Sequence, residues 1–156
     1  MNSDEIKNII SFNVRTQEQF LGVFALDEIP KEMKTFTSAI INCCPSHLKG
    51  IHWCAIYQNS NTEIEFFDSF GFPPSHYNFI KNLPSNVRKV YNNKQLQSPL
   101  SNVCGYYCLF YLWKKNHGYR LEDITHHFSK DYEYNDFFVK NKVQNIYKLK
   151  NKNHFL

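Results

Sequence analysis

The predicted fold is an α+β domain with a mixed central β-sheet flanked by helices, one of them buried and beginning at a cysteine. Strand-type and helix-type patterns alternate along the chain, and the strongest helical pattern begins at Cys104. No Gly/Ser-rich or Pro-rich linker and no internal repeat divides the 156 residues. A chain of this length forms one sizeable core, whereas two domains would each be undersized. We therefore predict a single domain over residues 1–156.

The first half of the chain predicts one helix followed by four strands. Isoleucine side chains and Val14 recur at helical spacing in the opening segment. The runs that follow are short, apolar or alternating, and bounded by turn residues. The predicted ranges are a helix over Ser3–Arg15 and strands over Phe20–Leu26, Ala39–Cys44, Ile51–Gln58 and Glu63–Asp68. The last two strands flank the polar turn Asn59–Asn61, so they should pair as a hairpin.

In the second half, the strongest pattern is the helix that begins at Cys104. Its apolar positions are spaced i, i+3, i+4, i+7 and i+8, and Gly118 stands where a helix would end. The predicted ranges are a helix over Ser75–Leu83, a strand over Val87–Tyr91, and helices over Cys104–Asn116, Leu121–Phe128 and Tyr134–Tyr147. This order places the Cys104 helix against the middle of the sheet.

Composition indicates a folded protein. Hydrophobic residues make up 42% of the chain and aromatic residues 17%, which suits a packed core and argues against disorder. No run approaches the roughly 18 apolar residues of a membrane-spanning helix. The first residues, Met1–Glu5, lack the layout of a signal peptide. We expect an intracellular monomer without membrane contact.

Cysteine and charge patterns bear on redox state and partners. The five cysteines are odd in number and lie in or beside apolar runs, which suits reduced thiols better than a disulfide framework. The formal net charge is +4, and lysines become frequent toward the C-terminus. These are Lys140, Lys142, Lys148, Lys150 and Lys152. Two interpretations stay open for this basic region: a contact with nucleic acid and an ordinary solvated surface.

The region around Cys104 has the residue types that nucleophilic cysteine catalysis requires. A cysteine at a helix N-terminus has a lowered pKa, because unpaired amides and the helix dipole favour the thiolate. Gly105 leaves room for a substrate chain beside the sulfur. The backbone N–H of Cys104 and the side-chain amide of Gln97, across the Ser98-Pro99 bend, can both donate to an oxyanion.

A base and its orienting group are found on the predicted hairpin. His52 lies in the first strand, and Asp68 closes the second. If these strands pair near their turn, the carboxylate fixes the tautomer of the imidazole and stabilises the imidazolium. The sequence thus predicts a catalytic set of His52, Asp68, Gln97 and Cys104 that requires no metal and no organic cofactor.

The order and context of these residues resemble a known family. The segments His52-Trp53, Phe67–Phe72, Gln97–Pro99 and Cys104-Gly105 are similar to motifs of the adenovirus proteases, the adenains, and of their relatives in viruses and large DNA transposons. The proteases that process SUMO share the order His, Asp, Gln, Cys. Papain-like enzymes place the cysteine first, so the order itself discriminates.

The resemblance implies a role for each residue. His52, Asp68 and Cys104 become a triad, Gln97 becomes an oxyanion residue, and Trp53 becomes a wall of the substrate cleft. It also implies an endopeptidase that cuts capsid precursor proteins next to glycine, in a virion or in the host nucleus or cytoplasm. Activation by DNA and by a peptide, joined through a mixed disulfide to one of the cysteines, is a further implication.

Two departures leave the substrate open. Asp68 stands where adenains commonly have glutamate, as in SUMO-type proteases, whereas Val103 precedes the cysteine where SUMO-type enzymes usually have aspartate. One alternative function is therefore the processing or deconjugation of a ubiquitin-like modifier. Another is an inactive pseudo-protease that binds nucleic acid or capsid.

Structural interpretations stand beside the catalytic one. Four cysteines have no assigned chemistry and are expected to be small buried hydrophobic residues. They are Cys43, Cys44, Cys54 and Cys108. A rival arrangement is a zinc site in which Cys54 and Cys108 join His52 and Cys104. The spacing of these residues lacks a paired Cys-x-x-Cys motif, and a zinc site gives no role to Gln97 or Asp68. We therefore prefer the protease interpretation.

Overall fold

The computed structural model describes residues 1–148. This part of the chain contains five strands and five α-helices. The strands are β1 (Phe20–Phe24), β2 (Ser38–Asn42), β3 (Trp53–Ser60), β4 (Glu63–Phe67) and β5 (Arg88–Tyr91). The helices are α1 (Ser3–Ser11), α2 (Val14–Gln19), α3 (Cys104–Asn116), α4 (Leu121–His126) and α5 (Tyr132–Lys148). Short 3₁₀ segments lie at Leu26–Glu28, Pro74–Tyr77 and Phe79–Lys81. Over these residues, no helix has both the length and the apolar character that a bilayer crossing demands.

The strands form one mixed sheet in the order β1-β2-β3-β4-β5. The outer pairs, β1 with β2 and β4 with β5, are parallel, and the inner pairs are antiparallel. The predicted hairpin is formed by β3 and β4, with Ala55 opposite Phe67. The predicted α+β class with a mixed sheet is thus confirmed.

Alternating side chains of the central strands divide the core into two layers. Ala55 and Phe67 belong to the layer of α3, whereas Phe66 belongs to the opposite layer together with Phe79. Helix α3 packs on β3, the middle strand. Its Tyr111 ring stacks on Phe67 with 4.5 Å between ring centroids. The predicted helix and its position against the middle of the sheet are confirmed.

The prediction of one helix over Ser3–Arg15 is wrong, because Asn13 interrupts it. The Asn13 side chain accepts a hydrogen bond from the Thr16 N–H at 3.0 Å and so caps a second helix, α2. Asparagine bonds to nearby backbone in this way more readily than it continues a helix. The hydrophobic spacing that suggested one helix reports only which face is buried.

The predicted helix over Ser75–Leu83 is also wrong. Asn78 has a left-handed φ of 61° and separates two 3₁₀ segments. Helix α3 has its predicted bounds, and the other ranges differ from prediction only at their ends. One of these differences moves a site residue, because β3 begins at Trp53 and His52 lies just before the strand.

A buried ion pair joins α3 to β4 near the end of α3 that is away from Cys104. Lys115 Nζ lies 2.8 Å from Glu65 Oε1, and these side chains are 8% and 5% exposed. The Tyr111 hydroxyl donates to the other carboxylate oxygen at 2.6 Å, and Asn59 donates to Oε1 at 2.6 Å. The Glu65 carboxylate therefore relies on donors from two neighbouring elements.

Lys115→Met is expected to destabilise the fold by about 3–5 kcal/mol, because it leaves a buried carboxylate without its cation. Arg88→Met is the matched control: it removes a pair with Glu63 in which the arginine side chain is 74% exposed. An exposed pair contributes only about 0–1 kcal/mol. The free energy of unfolding in urea measures both changes. Equal losses would contradict the importance assigned to the buried pair.

Candidate active site

Three of the predicted site residues lie together at one end of the central strands. His52 lies immediately before β3, Asp68 immediately after β4, and Cys104 is the first residue of α3. Since β3 and β4 are antiparallel, the start of one strand lies beside the end of the other. Helix α3 packs on β3 and places its N-terminus so that Cys104 lies close enough to His52 for the ring to lower the pKa of the thiol.

The Asp68 carboxylate is fully buried and holds His52. Its Oδ1 lies 2.7 Å from His52 Nε2 and accepts the Phe70 N–H at 3.0 Å. Its Oδ2 accepts the Phe72 N–H at 3.1 Å and the Tyr77 hydroxyl at 3.0 Å. Each oxygen therefore has two partners, which fixes both the position and the direction of the carboxylate.

Sequence reasoning missed two residues that hold Asp68: Asn92 and Tyr77. Asn92 follows β5, accepts the Asp68 N–H at 2.9 Å and donates to the Asp68 carbonyl at 2.6 Å. An asparagine after a strand carries only a turn signal, and Tyr77 lies inside the segment that was predicted as a helix. Both roles arise from contacts between distant segments, which spacing along the chain does not encode.

The His52 ring stacks on Phe70 and Tyr77, with centroid distances of 4.8 and 5.7 Å. Burial alone would lower the pKa of this imidazole. The hydrogen bonds and charges of Asp68 and Cys104 outweigh burial and raise the pKa of His52 to about 9. Because Nε2 faces Asp68, Nδ1 is the ring nitrogen left for Cys104. The ring is thus arranged to carry a proton near neutral pH.

Cys104 is buried, with 7% of its surface exposed. Burial alone would raise the pKa of its thiol, but the hydrogen bond with His52 and the positive charge of that ring lower the pKa overall. Backbone hydrogen bonds from Trp53 and Gly105 act in the same direction. The position at the start of α3 also favours a thiolate.

Three of the other thiols lie in environments that disfavour ionisation. Burial raises the pKa of Cys54 and Cys108 well above the ordinary value, and it raises the pKa of Cys43 to about 12. Cys54 and Cys108 are buried, as expected. Cys43 and Cys44 are partly exposed, so the expectation of burial is wrong for them. They directly follow the end of β2.

Gln97 is fully buried, and its side-chain amide is bonded on both sides. Its Oε1 accepts the Ser69 hydroxyl at 2.6 Å. Its Nε2 donates to the carbonyl oxygen and the hydroxyl of Ser101 at 3.0 and 3.1 Å. Both acceptors of Nε2 belong to Ser101, so an oxyanion would have to share or replace one of these two bonds. The predicted oxyanion role is compatible with this arrangement and stays a prediction.

The loop that carries Gln97 is anchored to the C-terminal helices. Asn135 Nδ2 donates to the Leu96 carbonyl at 2.9 Å. The Tyr107 hydroxyl lies 3.1 Å from the same carbonyl and 2.8 Å from the Asp136 carboxylate. Helices α3 and α5 therefore hold the backbone immediately before Gln97.

A cavity of about 610 Å³ opens beside Cys104. Trp53, Ile51 and Lys49 are among the residues that line it. The Trp53 indole N–H donates to the Met1 carbonyl at 3.0 Å, which holds the ring at the wall of the cavity. This position agrees with the predicted contact of Trp53 with substrate, which stays a prediction.

Gly105 faces Met1 and Trp53 rather than open space. A Cβ at Gly105 would meet Met1 Sδ at 2.9 Å and Trp53 Cδ1 at 3.5 Å. The room beside Gly105 that we expected for a substrate chain is occupied by the Met1 side chain in this structure. A substrate contact at Gly105 would require Met1 to move.

The rival zinc arrangement is not the one that the geometry presents. The candidate ligand atoms of His52, Cys54 and Asp68 lie within 4.8 Å of one another. Within residues 1–148, no group of three or more such side chains includes Cys104 or Cys108. The close approach of His52 and Asp68 is explained by their hydrogen bond.

Comparisons with known proteins point to one family. A family model described as adenovirus endoprotease matches residues 20–132, which contain the whole predicted catalytic set. The protease of Bovine adenovirus C serotype 10 is 30% identical over 89 residues, 47% of this chain and 45% of that protein. The protease of Ovine adenovirus D serotype 7 is 26% identical over 126 residues, 70% of this chain and 62% of that protein. The chain thus spans less than two thirds of the length of these relatives.

Proposed function

The chain belongs to the adenovirus endoprotease family, and from this premise we propose that it is a cysteine endopeptidase. The observation that carries the proposal is the contact between Cys104, His52 and Asp68. A thiol and an imidazole lie close enough that the thiol pKa is lowered and the imidazole pKa is raised, and a buried carboxylate holds the imidazole. A thiolate beside an imidazolium is the reactive form of a cysteine nucleophile.

Catalysis proceeds through an acyl-enzyme. The Cys104 thiolate attacks the scissile carbonyl carbon and forms a C–S bond, while the carbonyl π electrons move to the oxygen. As this oxyanion collapses, the C–N bond breaks and the proton on His52 Nδ1 passes to the leaving amine. His52 then deprotonates a water molecule that attacks the thioester. Release of the carboxylic acid product restores the thiolate and the imidazolium.

The start of α3 supplies one donor for the oxyanion. Val103, the N-cap residue, makes no side-chain hydrogen bond to the helix, so no side chain caps the first amides of α3. The backbone N–H of Cys104 is therefore one donor, and Gln97 Nε2 becomes the second when the oxyanion replaces or shares one of its Ser101 acceptors. Asp68 keeps its charge throughout and stabilises the imidazolium.

The proposed substrates are capsid precursor proteins of a virus or transposon, cut next to glycine. Trp53 and Met1 crowd the cleft beside Cys104, and a residue without a side chain fits a crowded site. The relatives in the comparisons are adenovirus proteases, which supports viral substrates. The same relatives support the proposed location of the protein in the virion or in the host nucleus or cytoplasm. In this proposal the enzyme acts as a monomer without a metal or organic cofactor.

An activating peptide is part of the proposal. Cys43 and Cys44 are partly exposed, whereas Cys54 and Cys108 are buried. A peptide thiol therefore reaches the first pair more easily, and a mixed disulfide is proposed there. Sequence reasoning alone did not distinguish between the four cysteines.

Activation by DNA is proposed through the basic region of the C-terminal helix. Lys140 and Lys142 are exposed on α5 and are free to approach phosphates. Lys150, Lys152 and the side chain of Lys148 lie outside the described residues. The net charge of +4 favours such a contact.

The second candidate function is the processing of a ubiquitin-like modifier. The observation that favours it is Asp68, since SUMO-type proteases share aspartate at this position. The binding-only alternative, an inactive pseudo-protease, gives no reason for the lowered pKa of Cys104 or for a carboxylate held by four partners.

Peptide cleavage tests the proposal. We expect the protein to cut a short glycine-containing peptide taken from a capsid precursor, and a Gly→Ala change at the scissile bond to lower kcat/KM by about 10–100-fold. The assay is run with and without DNA and capsid-derived peptides, with Cys104→Ser as the inactive control. Cleavage only of an intact folded modifier would favour the second function. No cleavage in any arm, with slow alkylation of Cys104, would favour a binding module.

A further inference from the structure

The Ser69 hydroxyl has a partner that the proposed mechanism leaves unexplained. Ser69 follows Asp68 in the chain and is 1% exposed. Its Oγ donates to Gln97 Oε1 at 2.6 Å. Its backbone carbonyl accepts the N–H groups of Leu96 and Gln97 at 2.8 and 3.1 Å. Three hydrogen bonds thus join the residue beside the triad carboxylate to the loop of the oxyanion residue.

The direction of the Gln97 amide is set by what its neighbours can donate or accept. The Ser101 carbonyl only accepts, so Nε2 must face it, and it lies there at 3.0 Å. Oε1 must then face Ser69, whose hydroxyl is the donor that reaches it among residues 1–148. If the amide rotated by half a turn, Oε1 would face the carbonyl oxygen of Ser101 and repel it. The two serines therefore select one of two amide orientations.

The selected orientation is the one that oxyanion stabilisation needs. An oxyanion accepts only from the N–H side of an amide, and a donor is most effective when it is already aimed before charge develops. Ser101 alone leaves Oε1 of Gln97 buried without a donor, and a buried unpaired carbonyl favours rearrangement of the loop. The Ser69 hydroxyl removes that tendency.

We propose that Ser69 is a positioning residue that acts through Gln97, fixing the amide so that Nε2 rather than Oε1 faces Ser101 and the start of α3. The inference rests on the proposed function of Cys104 and Gln97. It assigns no contact between Ser69 and substrate. Because the Ser69 backbone also holds the Gln97 loop, only the hydroxyl is at issue, and a change of side chain leaves both backbone bonds in place.

A double-mutant cycle tests it. Gln97→Ala is expected to lower kcat by about 10²–10³-fold, the effect of losing one oxyanion donor. Ser69→Ala is expected to lower kcat by about ten-fold, the equivalent of one lost hydrogen bond, with KM unchanged. In the Gln97→Ala background, Ser69→Ala is expected to cost nothing further. Ser69→Thr keeps the hydroxyl and is expected to restore most of the turnover.

The controls separate positioning from a structural effect. Ser38→Ala removes another buried hydroxyl, one without a hydrogen-bond partner among residues 1–148, and is expected to leave kcat unchanged. The pH profile of Cys104 alkylation should be unchanged in Ser69→Ala, because that profile reports His52 and Asp68 rather than Gln97. Thermal unfolding identifies any variant that fails to fold. If Ser69→Thr does not fold, the cycle of Ser69→Ala, Gln97→Ala and their double variant still tests whether the Ser69 hydroxyl acts through Gln97.

Each outcome points to a different failure. Losses that multiply in the double variant, a shifted alkylation profile in Ser69→Ala, or wild-type turnover in that variant would overturn the inference alone. Wild-type turnover in Gln97→Ala would remove Gln97 from the oxyanion site and overturn the inference with it. Absence of any peptide cleavage by the unmodified protein would overturn the proposed function itself.

Discussion

Replacing His52 with alanine is expected to lower kcat by on the order of 10⁶-fold, the loss found when one member of a nucleophile and base pair is removed. His52 has two tasks in the proposed reaction: it keeps Cys104 ionised, and it delivers a proton to the leaving amine. Both tasks are lost together. Without the ring, only the start of α3 and the backbone hydrogen bonds from Trp53 and Gly105 oppose the effect of burial, so the pKa of the Cys104 thiol rises.

Thiol alkylation across pH measures the first task directly. In the unmodified protein, Cys104 is expected to react in a window that begins at the lowered pKa of the thiol. Above the His52 pKa of about 9 the ring loses its charge, but the thiolate remains and continues to react. In His52→Ala the neutral part of this window is expected to disappear, since an ordinary thiol is only a few per cent ionised near pH 7. Mass spectrometry identifies the labelled cysteine.

His76→Ala is the matched control for this experiment. His76 is an exposed histidine of the same region that stacks on Phe72 at 4.1 Å. Its removal should leave both turnover and the alkylation window of Cys104 within a few-fold of the original. Unchanged fast labelling of Cys104 in His52→Ala would show that the helix terminus alone ionises the thiol, and would remove His52 as its base.

The parts of the fold that depend on hydrophobic periodicity could be predicted from the sequence. Helix α3 keeps its predicted bounds because its spacing of apolar residues is strong and it packs on a central strand. The hairpin of β3 and β4 follows from alternation and a polar turn. Asn13 and Asn78 broke two predicted helices, because their local bonds and left-handed backbone compete with periodicity that reports only burial.

The candidate site was predictable only for residues whose chemistry is distinctive. A cysteine at a helix start, a histidine and a carboxylate on a hairpin carry their roles in their residue type and position, and the structure brings these three together. Ser69, Tyr77 and Asn92 are ordinary polar residues whose contacts arise from packing between distant segments. Spacing along the chain contains no signal for them.

Asp68→Asn is expected to lower kcat by about 10⁴-fold while leaving the fold intact, as expected for a triad aspartate that fixes a histidine tautomer. An asparagine can keep one oxygen between His52 Nε2 and the Phe70 N–H. Its Nδ2 then faces the Phe72 N–H, which only donates, in place of an acceptor. The substitution also removes the charge that raises the pKa of His52.

That lost charge gives the experiment a specific readout. Without it, burial lowers the pKa of His52 from about 9, so the alkaline limit of kcat/KM, where the ring loses the proton needed by the leaving amine, should move to lower pH. Tyr77→Phe is the matched control, since it removes one of the four partners of the Asp68 carboxylate and keeps the charge. Its expected cost is at most about ten-fold in kcat, the equivalent of one hydrogen bond. If Asp68→Asn cost no more than Tyr77→Phe, and the alkaline limit did not move, the carboxylate would be a structural anchor of its loop. His52 would then act without an acidic partner.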